Sequence, residues 1–338
     1  MRDMKSNSLR LGLMILLTMV LAACAPAATE APEQPTEPAA PFRIAVVAPS
    51  PTNDLAFTQS MFDAVNAIAE ERGNVEIAFS EGMFVVDDAA AALRDYAAEG
   101  FDLVIAHGSQ YGSSLQEIAP DFPETSFAWG TTVDTFGLDN VYAYEARSEE
   151  GGFVNGVIAA SLSQSGVIGV VGPIETGDAK LYVDGFVAGA KSVDPAVEVN
   201  VNWIGSFSDV ALASEAAQTH ITAGADVLTG TAQMVVGAIG VAEANGVPWF
   251  GTQSEQTSLA PDIVVASQVY DWTVALKLIL TQIHEGQLGG TSYAITLANG
   301  GLKIAFNPGY SVPEDVLARV DETIAGISDG SITIEMGD

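Results

Sequence analysis

The chain has 338 residues, 48% of them hydrophobic, and 43 acidic against 12 basic side chains give a formal net charge of −31. That is enough apolar material for one large domain or two lobes, while so negative a field excludes nucleic acid and anionic lipid headgroups and disfavours a strongly anionic ligand. A single cysteine rules out a disulfide within the chain, and no cysteine–histidine cluster is available to hold a metal.

Residues 1–23 read as an export signal. Arg2, Lys5 and Arg10 give a positive start, Leu11 to Ala23 is apolar apart from Gly12 and Thr18, and Leu21-Ala22-Ala23 offers small residues to a peptidase. The run is shorter than the roughly 20 residues that span a bilayer, so an uncleaved anchor ranks second. Leu21-Ala22-Ala23-Cys24 resembles the lipobox of bacterial lipoproteins, which implies lipidation at Cys24. Two or more acyl chains hold a protein stably at a membrane where one does so only marginally. Residues 24–41, almost all Ala, Pro, Glu, Thr and Gln, cannot bury a core and read as a tether. At about 3.1 Å per residue it would reach roughly 50 Å.

From Phe42 onward, apolar runs alternate with helical patterns. Strands are expected at 43–48, 75–79, 102–106, 126–129, 141–144, 167–171, 197–203, 226–228, 248–251 and 263–267. Helices are expected at 60–72, 87–98, 151–163, 183–192, 211–222, 236–245 and 272–284, several stopped by glycines such as Gly73 and Gly246. Apolar runs without alternation suit parallel strands covered on both faces, and the whole pattern implies an α/β fold. "EGFDLVIAH" from Glu99 and "AGADVLTGT" from Ala223 each stop a helix with glycine and enter a strand through aspartate. Each stands third in its own series of strands, which favours two similar lobes. In open α/β sheets ligands sit beyond the carboxyl ends of strands. That directs attention to the loops 49–57, 107–113, 130–135, 172–180, 230–235, 253–259 and 270–272.

Familiar reaction chemistry is missing. Gly172 to Gly177 has the glycine spacing of a phosphate loop, but Asp178 and Ala179 stand where lysine and a hydroxyl residue belong, and a carboxylate would repel phosphate. His107, His220 and His284 are far apart, with His220 and His284 expected on solvent faces of helices. Acidic pairs such as Asp87-Asp88 and Glu149-Glu150 begin helices, where carboxylates favour the positive end. Neither an enzyme nor a cofactor or metal site is expected. Asn53-Asp54-Leu-Ala-Phe57-Thr58 follows the first strand. Asn53 or Asp54 either caps the next helix, with Phe57 packed beneath it, or the stretch leaves amides, a carboxylate and a ring at a cleft mouth. Trp129 ends a strand and is either a cleft ring or an ordinary half-buried tryptophan; Gln233, Gln253 and Gln256 either read a ligand edge or face solvent.

"NDLAFTQSMFDAV", "GFDLVIAHG", "EEGGFVNGVIAASLSQSGVIGVVG", "GFVAGAKSVDPAVEV", "GSFSDVALASEAAQTHITAGADVL" and "VAEANGVPWFG" fall in the order found in the basic membrane protein family. These lipid-anchored binding proteins of ABC importers are similar to purine-nucleoside receptors. The resemblance covers nearly all of the chain after Phe42. It implies a type I periplasmic-binding-protein fold, with two Rossmann-like lobes of parallel sheet joined by hinge strands. Lobe 1 would span 42–146 and lobe 2 147–262, and 263–338 would cross back through the hinge and complete both.

The resemblance also implies a ligand set. Asp54 matches the family's first-loop aspartate and Phe57 its stacking aromatic. Gln253 replaces the ribose-binding aspartate and Tyr270 a lysine, which weakens a ribose contact. Tyr270-Asp271-Trp272 resembles the aromatic hinge of a branch that binds free nucleobases. The expected ligand residues are therefore Asn53, Asp54, Phe57, Thr58, His107, Trp129, Gln233, Gln253, Tyr270 and Trp272. Together, the two resemblances imply a monomer on the extracytoplasmic face of a membrane that captures a purine nucleobase or nucleoside for an ABC permease and its ATPase. A sensory lipoprotein without transport, or a surface enzyme acting on nucleosides, are the alternatives.

Overall fold

The computed structural model describes residues 40–336. The expected signal segment and Cys24, with most of the tether, lie outside the described residues. Two six-stranded sheets dominate the rest. The first is built from β1 (Phe42–Val47), β2 (Val75–Ser80), β3 (Leu103–His107), β4 (Ser126–Gly130) and β5 (Val141–Ala146), interleaved with α1 (Phe57–Arg72), α2 (Val86–Ala98) and the short α3 (Gly112–Ile118). The chain then passes through Arg147 into α4 (Ser148–Leu162) and the second series: β6 (Val167–Gly172), α5 (Gly177–Val193), β7 (Glu198–Trp203), α6 (Val210–Thr222), β8 (Val227–Gly230), α7 (Val235–Asn245), β9 (Trp249–Gln253) and β10 (Val264–Tyr270). It returns through Asp271 and Trp272 to α8 (Thr273–His284) and β11 (Ser292–Ile295), and goes over once more to β12 (Leu302–Phe306) and α9 (Glu314–Asp329).

Strand order is β11-β5-β4-β3-β1-β2 in one sheet and β12-β10-β9-β8-β6-β7 in the other. Every pairing is parallel except β10 with β12. The ten expected strands are present, with ends shifted by a few residues. The apolar runs that announced them are the central strands: β3 is buried throughout, as are β8 and β9. β11 and β12, each only partly buried, are additions to the expected set.

Both faces of each sheet are covered. α1 and α8 pack on the first sheet through Met61, Val65, Ile68, Leu276 and Ile279, and α2 and α3 cover its other face through Leu93 and Leu115. α4, α5 and α9 cover one face of the second sheet through Val154, Ile158, Phe186 and Val320; α6 and α7 cover the other through Ala213, Ala217, Val235 and Ile239. The larger of these side chains, Val, Leu, Ile, Met and Phe, each contribute about 1.5–3 kcal/mol when fully buried. The two echoing segments occupy equivalent places, β3 beside β1 and β8 beside β6. Their aspartates do the same work: Asp102 accepts from the Arg43 backbone N–H at the start of β1, and Asp226 accepts from the backbone of Gln164 and Ser165 just before β6.

The three crossings run side by side. Glu150, at the start of α4, accepts from the Leu297 backbone N–H in the last of them at 2.7 Å. Trp272, in the second, is fully buried in the first lobe's core and donates its indole N–H to Ser60 at 2.9 Å.

Candidate functional site

Where the carboxyl ends of the two sheets face each other lies a cavity with about 420 Å³ of unfilled space, part of it continuous with solvent. Its walls come from the loops at those strand ends. Pro49 and Phe57 follow β1, Gly108 to Gln110 follow β3 and Thr131 follows β4; Thr176, Asp178 and Ala179 follow β6, Ala232 and Gln233 follow β8, and Gln253 ends β9. Phe84 and Phe207 come from the loops after the edge strands β2 and β7.

Phe57 forms the aromatic wall. Its ring stacks on His107 with centroids 3.8 Å apart and planes 7° from parallel, and His107 in turn stacks on Tyr144 at 6.0 Å. The Phe57 carbonyl can only accept, so His107 Nε2 carries the proton it receives at 3.1 Å, and Nδ1 accepts from the Tyr144 hydroxyl at 2.8 Å. Burial pushes the His107 imidazole down to about 3, against a smaller upward pull from the Phe57 carbonyl, so the ring is neutral at ordinary pH. The backing of Phe57 is therefore a fixed, uncharged stack.

Opposite stands Asp178 in the first turn of α5, only 8% exposed. Its carboxylate accepts from the Thr131 hydroxyl at 3.0 Å, from the Tyr270 hydroxyl at 3.0 Å and, at 3.4 Å, from the Gln253 amide. Burial raises its pKa, and these bonds, Thr131 first, pull it back. Ser148 lies 2.6 Å from the Tyr270 hydroxyl and accepts from Gln268 at 3.2 Å. With the Tyr270 proton committed to Asp178, the Ser148 hydroxyl donates to Tyr270, and the chain of donors runs toward the carboxylate.

The lobes also touch directly. Thr131 reaches Asp178, Gln233 donates to Ser50 at 3.0 Å, and Ser254 donates to the Ala56 carbonyl at 2.8 Å.

Of the residues expected at the site, Phe57, Gln233 and Gln253 line the cavity. Tyr270 and His107 stand behind it, bonded to Asp178 and to the Phe57 carbonyl. Asn53 and Asp54 border an adjoining groove that shares Phe84 and Gln233 with the cavity. Both Asp54 oxygens are engaged by their own loop, accepting from the Ser50 hydroxyl and from the backbone N–H groups of Ala56, Thr58 and Gln59; Thr58 is fully buried against Ser50. Trp129 is half-buried away from the cavity, stacked on Phe136 and donating to the Gly108 carbonyl. Trp272 belongs to the core. Gln256 is fully buried and accepts from the Trp249 indole N–H. His220, expected on a solvent face, is buried, with Nε2 donating to the Val170 carbonyl; His284 is exposed.

Sequence reasoning passed over Asp178, Thr131, Phe84 and Phe207. The signal for Asp178 was the carboxylate that spoiled the phosphate-loop pattern. Among the described residues, no group of three or more His, Cys, Asp or Glu could hold a metal ion, and no helix is long and apolar enough to cross a membrane. The arrangement can stack a flat ring and accept hydrogen bonds from its edge.

Residues 42–331 match the model of the Bmp family, described as ABC transporter substrate-binding protein, PnrA-like. The chain belongs to this family. Members bind a transported small molecule and present it to a permease, which accounts for a cavity between two lobes. The chain is 28% identical to a purine-binding protein of Brucella abortus over 291 residues, 86% of this chain and 82% of the relative. It is 26% identical to the transcriptional activator protein Med of Bacillus subtilis, over 83% of this chain and 87% of that one. An ABC transporter solute-binding protein from Conexibacter woesei superposes with a TM-score of 0.72 at 25% identity, covering 87% of this chain and 99% of that one. The periplasmic-binding-protein fold expected from the family resemblance is the fold of this member.

Proposed function

We propose that this ABC transporter substrate-binding protein captures a purine, as nucleobase or nucleoside, between its lobes and delivers it to the permease while held at the outer face of the membrane by lipid on Cys24. The observation that carries the ligand reading is the pairing of walls. A phenylalanine ring stacked on His107, a buried carboxylate and two glutamine amides line the same cavity between the lobes. Stacking of a base on such a ring contributes about 1–3 kcal/mol, and the polar wall fixes its orientation. The purine-binding relative supports the same ligand class. With Asp54 occupied by its own loop and Gln253 where a ribose-binding carboxylate would stand, the site favours the base over the sugar.

Calorimetry on residues 40–338, one compact unit, with adenine, guanine, adenosine and guanosine tests the ligand. Binding of at least one purine is expected, weakened about 10-fold or more in Phe57→Ala; absence of heat with all four rejects the ligand and leaves the transporter family untouched. Incorporation of labelled palmitate by cells making the wild-type chain, and its loss in Cys24→Ser, tests the anchor; equal labelling of both rejects it.

A further inference from the structure

Two hollows meet at the mouth of the cleft. One is the cavity, the other is the groove bordered by Asn53 and Asp54, and Phe84 and Gln233 line both. These two side chains are therefore the partition between them. Like the cavity, the groove spans the lobes, from Pro51 and Leu55 after β1 to Val210, Val236 and Leu259 in the second lobe. Among its polar residues, Ser50 and Asp54 are already engaged in the first loop, and Asn53 and Ser208 are exposed. The inner surface left for a guest is mostly apolar.

The two halves of the partition are held differently. Gln233 is a fixed post. Its amide donates to Ser50 across the lobes at 3.0 Å, and Ser50 is itself bonded to Asp54 and Thr58, each at 2.6 Å. The residue before it, Ala232, keeps φ at 73°, a left-handed conformation that a residue with a Cβ keeps only where its surroundings hold it. Phe84 has no such hold. The backbone is anchored as far as Met83, whose N–H donates to the Ala48 carbonyl at 3.0 Å and whose carbonyl accepts from the Tyr111 hydroxyl at 2.6 Å. Beyond that anchor the Phe84 side chain is 38% exposed and belongs to none of the four apolar clusters that make up the cores. Val210 and Val236, 44% and 38% exposed, line the same groove. Phe84 is thus part of an apolar patch at a cavity mouth rather than a lone exposed ring, and such patches mark sites of contact.

We infer that Phe84 is a specificity-determining residue: its ring shuts the cavity off from the groove, so the protein takes compact purines and rejects those whose apolar substituent would need the groove. The inference rests on the purine reading above. Without the ring, cavity and groove become one space, closed on the far side by Val210, Val236 and Leu259. A guest carrying a ring of its own then fills the gap.

The test is calorimetry on the protein with adenine and guanine and with the N9-benzyl and exocyclic N-benzyl derivatives of each, so that two edges of the purine are probed. The benzyl ring has the same six carbons that Phe84→Ala removes. Wild type should bind a parent purine at least about 10-fold tighter than its derivatives, because the added ring overfills a closed wall. In Phe84→Ala the parent-to-derivative ratio should fall about 10-fold or more for at least one derivative, as its ring is buried where the lost one stood. Adding Val236→Trp to Phe84→Ala refills the groove from the other lobe and should restore the discrimination. Circular dichroism confirms that each variant is folded. A merely structural role for Phe84 would weaken parent and derivative alike; that unchanged ratio, or equal affinity of the wild type for parent and derivative, overturns the filter and leaves the purine reading standing. A gain that persists in the double variant overturns the groove as the space the ring closes. No binding of any of these purines overturns both readings.

Discussion

Loop for loop, the two lobes address the cavity from equivalent places. The loop after the first strand of each series supplies Phe57 in one lobe and Asp178 in the other. The edge-strand loops supply Phe84 and Phe207, the third loops Gln110 and Gln233, the fourth Thr131 and Gln253. Repetition of the strand order sets where a side chain can arrive; the residue type then divides the labour. The first lobe offers an apolar platform backed by an uncharged histidine, and the second offers a buried carboxylate and two glutamine amides. Their helix packing differs in the same way. α1 and α8 meet in the first lobe through Val65, Ile68, Leu276 and Ile279. In the second, α4 and α5 press backbone to backbone: a Cβ on Gly152 or Gly156 would lie 2.3 or 2.1 Å from the carbonyl oxygens of Tyr182 or Phe186, and one on Gly185 or Gly189 would lie 2.2 or 2.0 Å from those of Glu149 or Phe153. Side chains can be repacked, but a backbone carbonyl inside a helix cannot step aside.

The largest effect is therefore expected where that contrast is broken. Gly189→Ala should destabilise the protein by about 3 kcal/mol or more, the upper range for overpacking. Gly240→Ala, in a helix where the added Cβ meets nothing within 4 Å, should be neutral or stabilise by about 0.5–1 kcal/mol. Chemical denaturation of the two variants measures both, and a Gly189→Ala protein as stable as wild type would refute the close-contact account of the second lobe.

Much of this architecture was legible in the residues. Central strands such as "LVIAH" and "WFGTQ" must be apolar on both faces, so they announce themselves, and their carboxyl ends directed attention to the loops that hold most of the lining. β11 and β12 are short and half-exposed, and they pair with strands distant in sequence, Ser292 with Ala143 and Leu302 with Tyr270, so no local pattern marks them. Asp178 was hidden because Gly177-Asp-Ala-Lys carries no apolar period, and the helix was expected to begin only at Val183 rather than at Gly177. Trp129 and Trp272 show the opposite limit. An aromatic residue at a strand end suits a cleft wall and a core equally well, and only the chain folded around it decides. Asp54 illustrates a third case: capping and ligand contact call for the same carboxylate, and here four donors from its own segment occupy it.

A smaller effect should separate the lobes by pH. Each holds one buried histidine, His107 and His220, and burial lowers the pKa of both, that of His107 to about 3. A base depressed in the folded state stays unprotonated while the unfolded chain takes up its proton below about 6.5. The stability attached to each group is thus fully present above that value and is lost as pH falls through it, with His107 contributing until about pH 3 at up to about 1.4 kcal/mol per pH unit. The raised carboxyls of Asp178, Glu145 and Glu150 act in the opposite sense, binding protons more readily folded than unfolded, while the lowered carboxyls of Asp226 and Asp271 act in the same sense as the histidines, so the slope for the whole protein sums several groups. Differences between variants remove this background. Denaturation of wild type, His107→Gln and His220→Gln between pH 7 and pH 4 should show the steepest loss in wild type, a clear flattening in His107→Gln and a lesser one in His220→Gln, since the second histidine is the less deeply enclosed. Parallel curves for wild type and His107→Gln would mean that the ring behind Phe57 takes up protons freely in the folded state, and the aromatic wall could not then be the fixed, neutral platform that sets the first lobe apart.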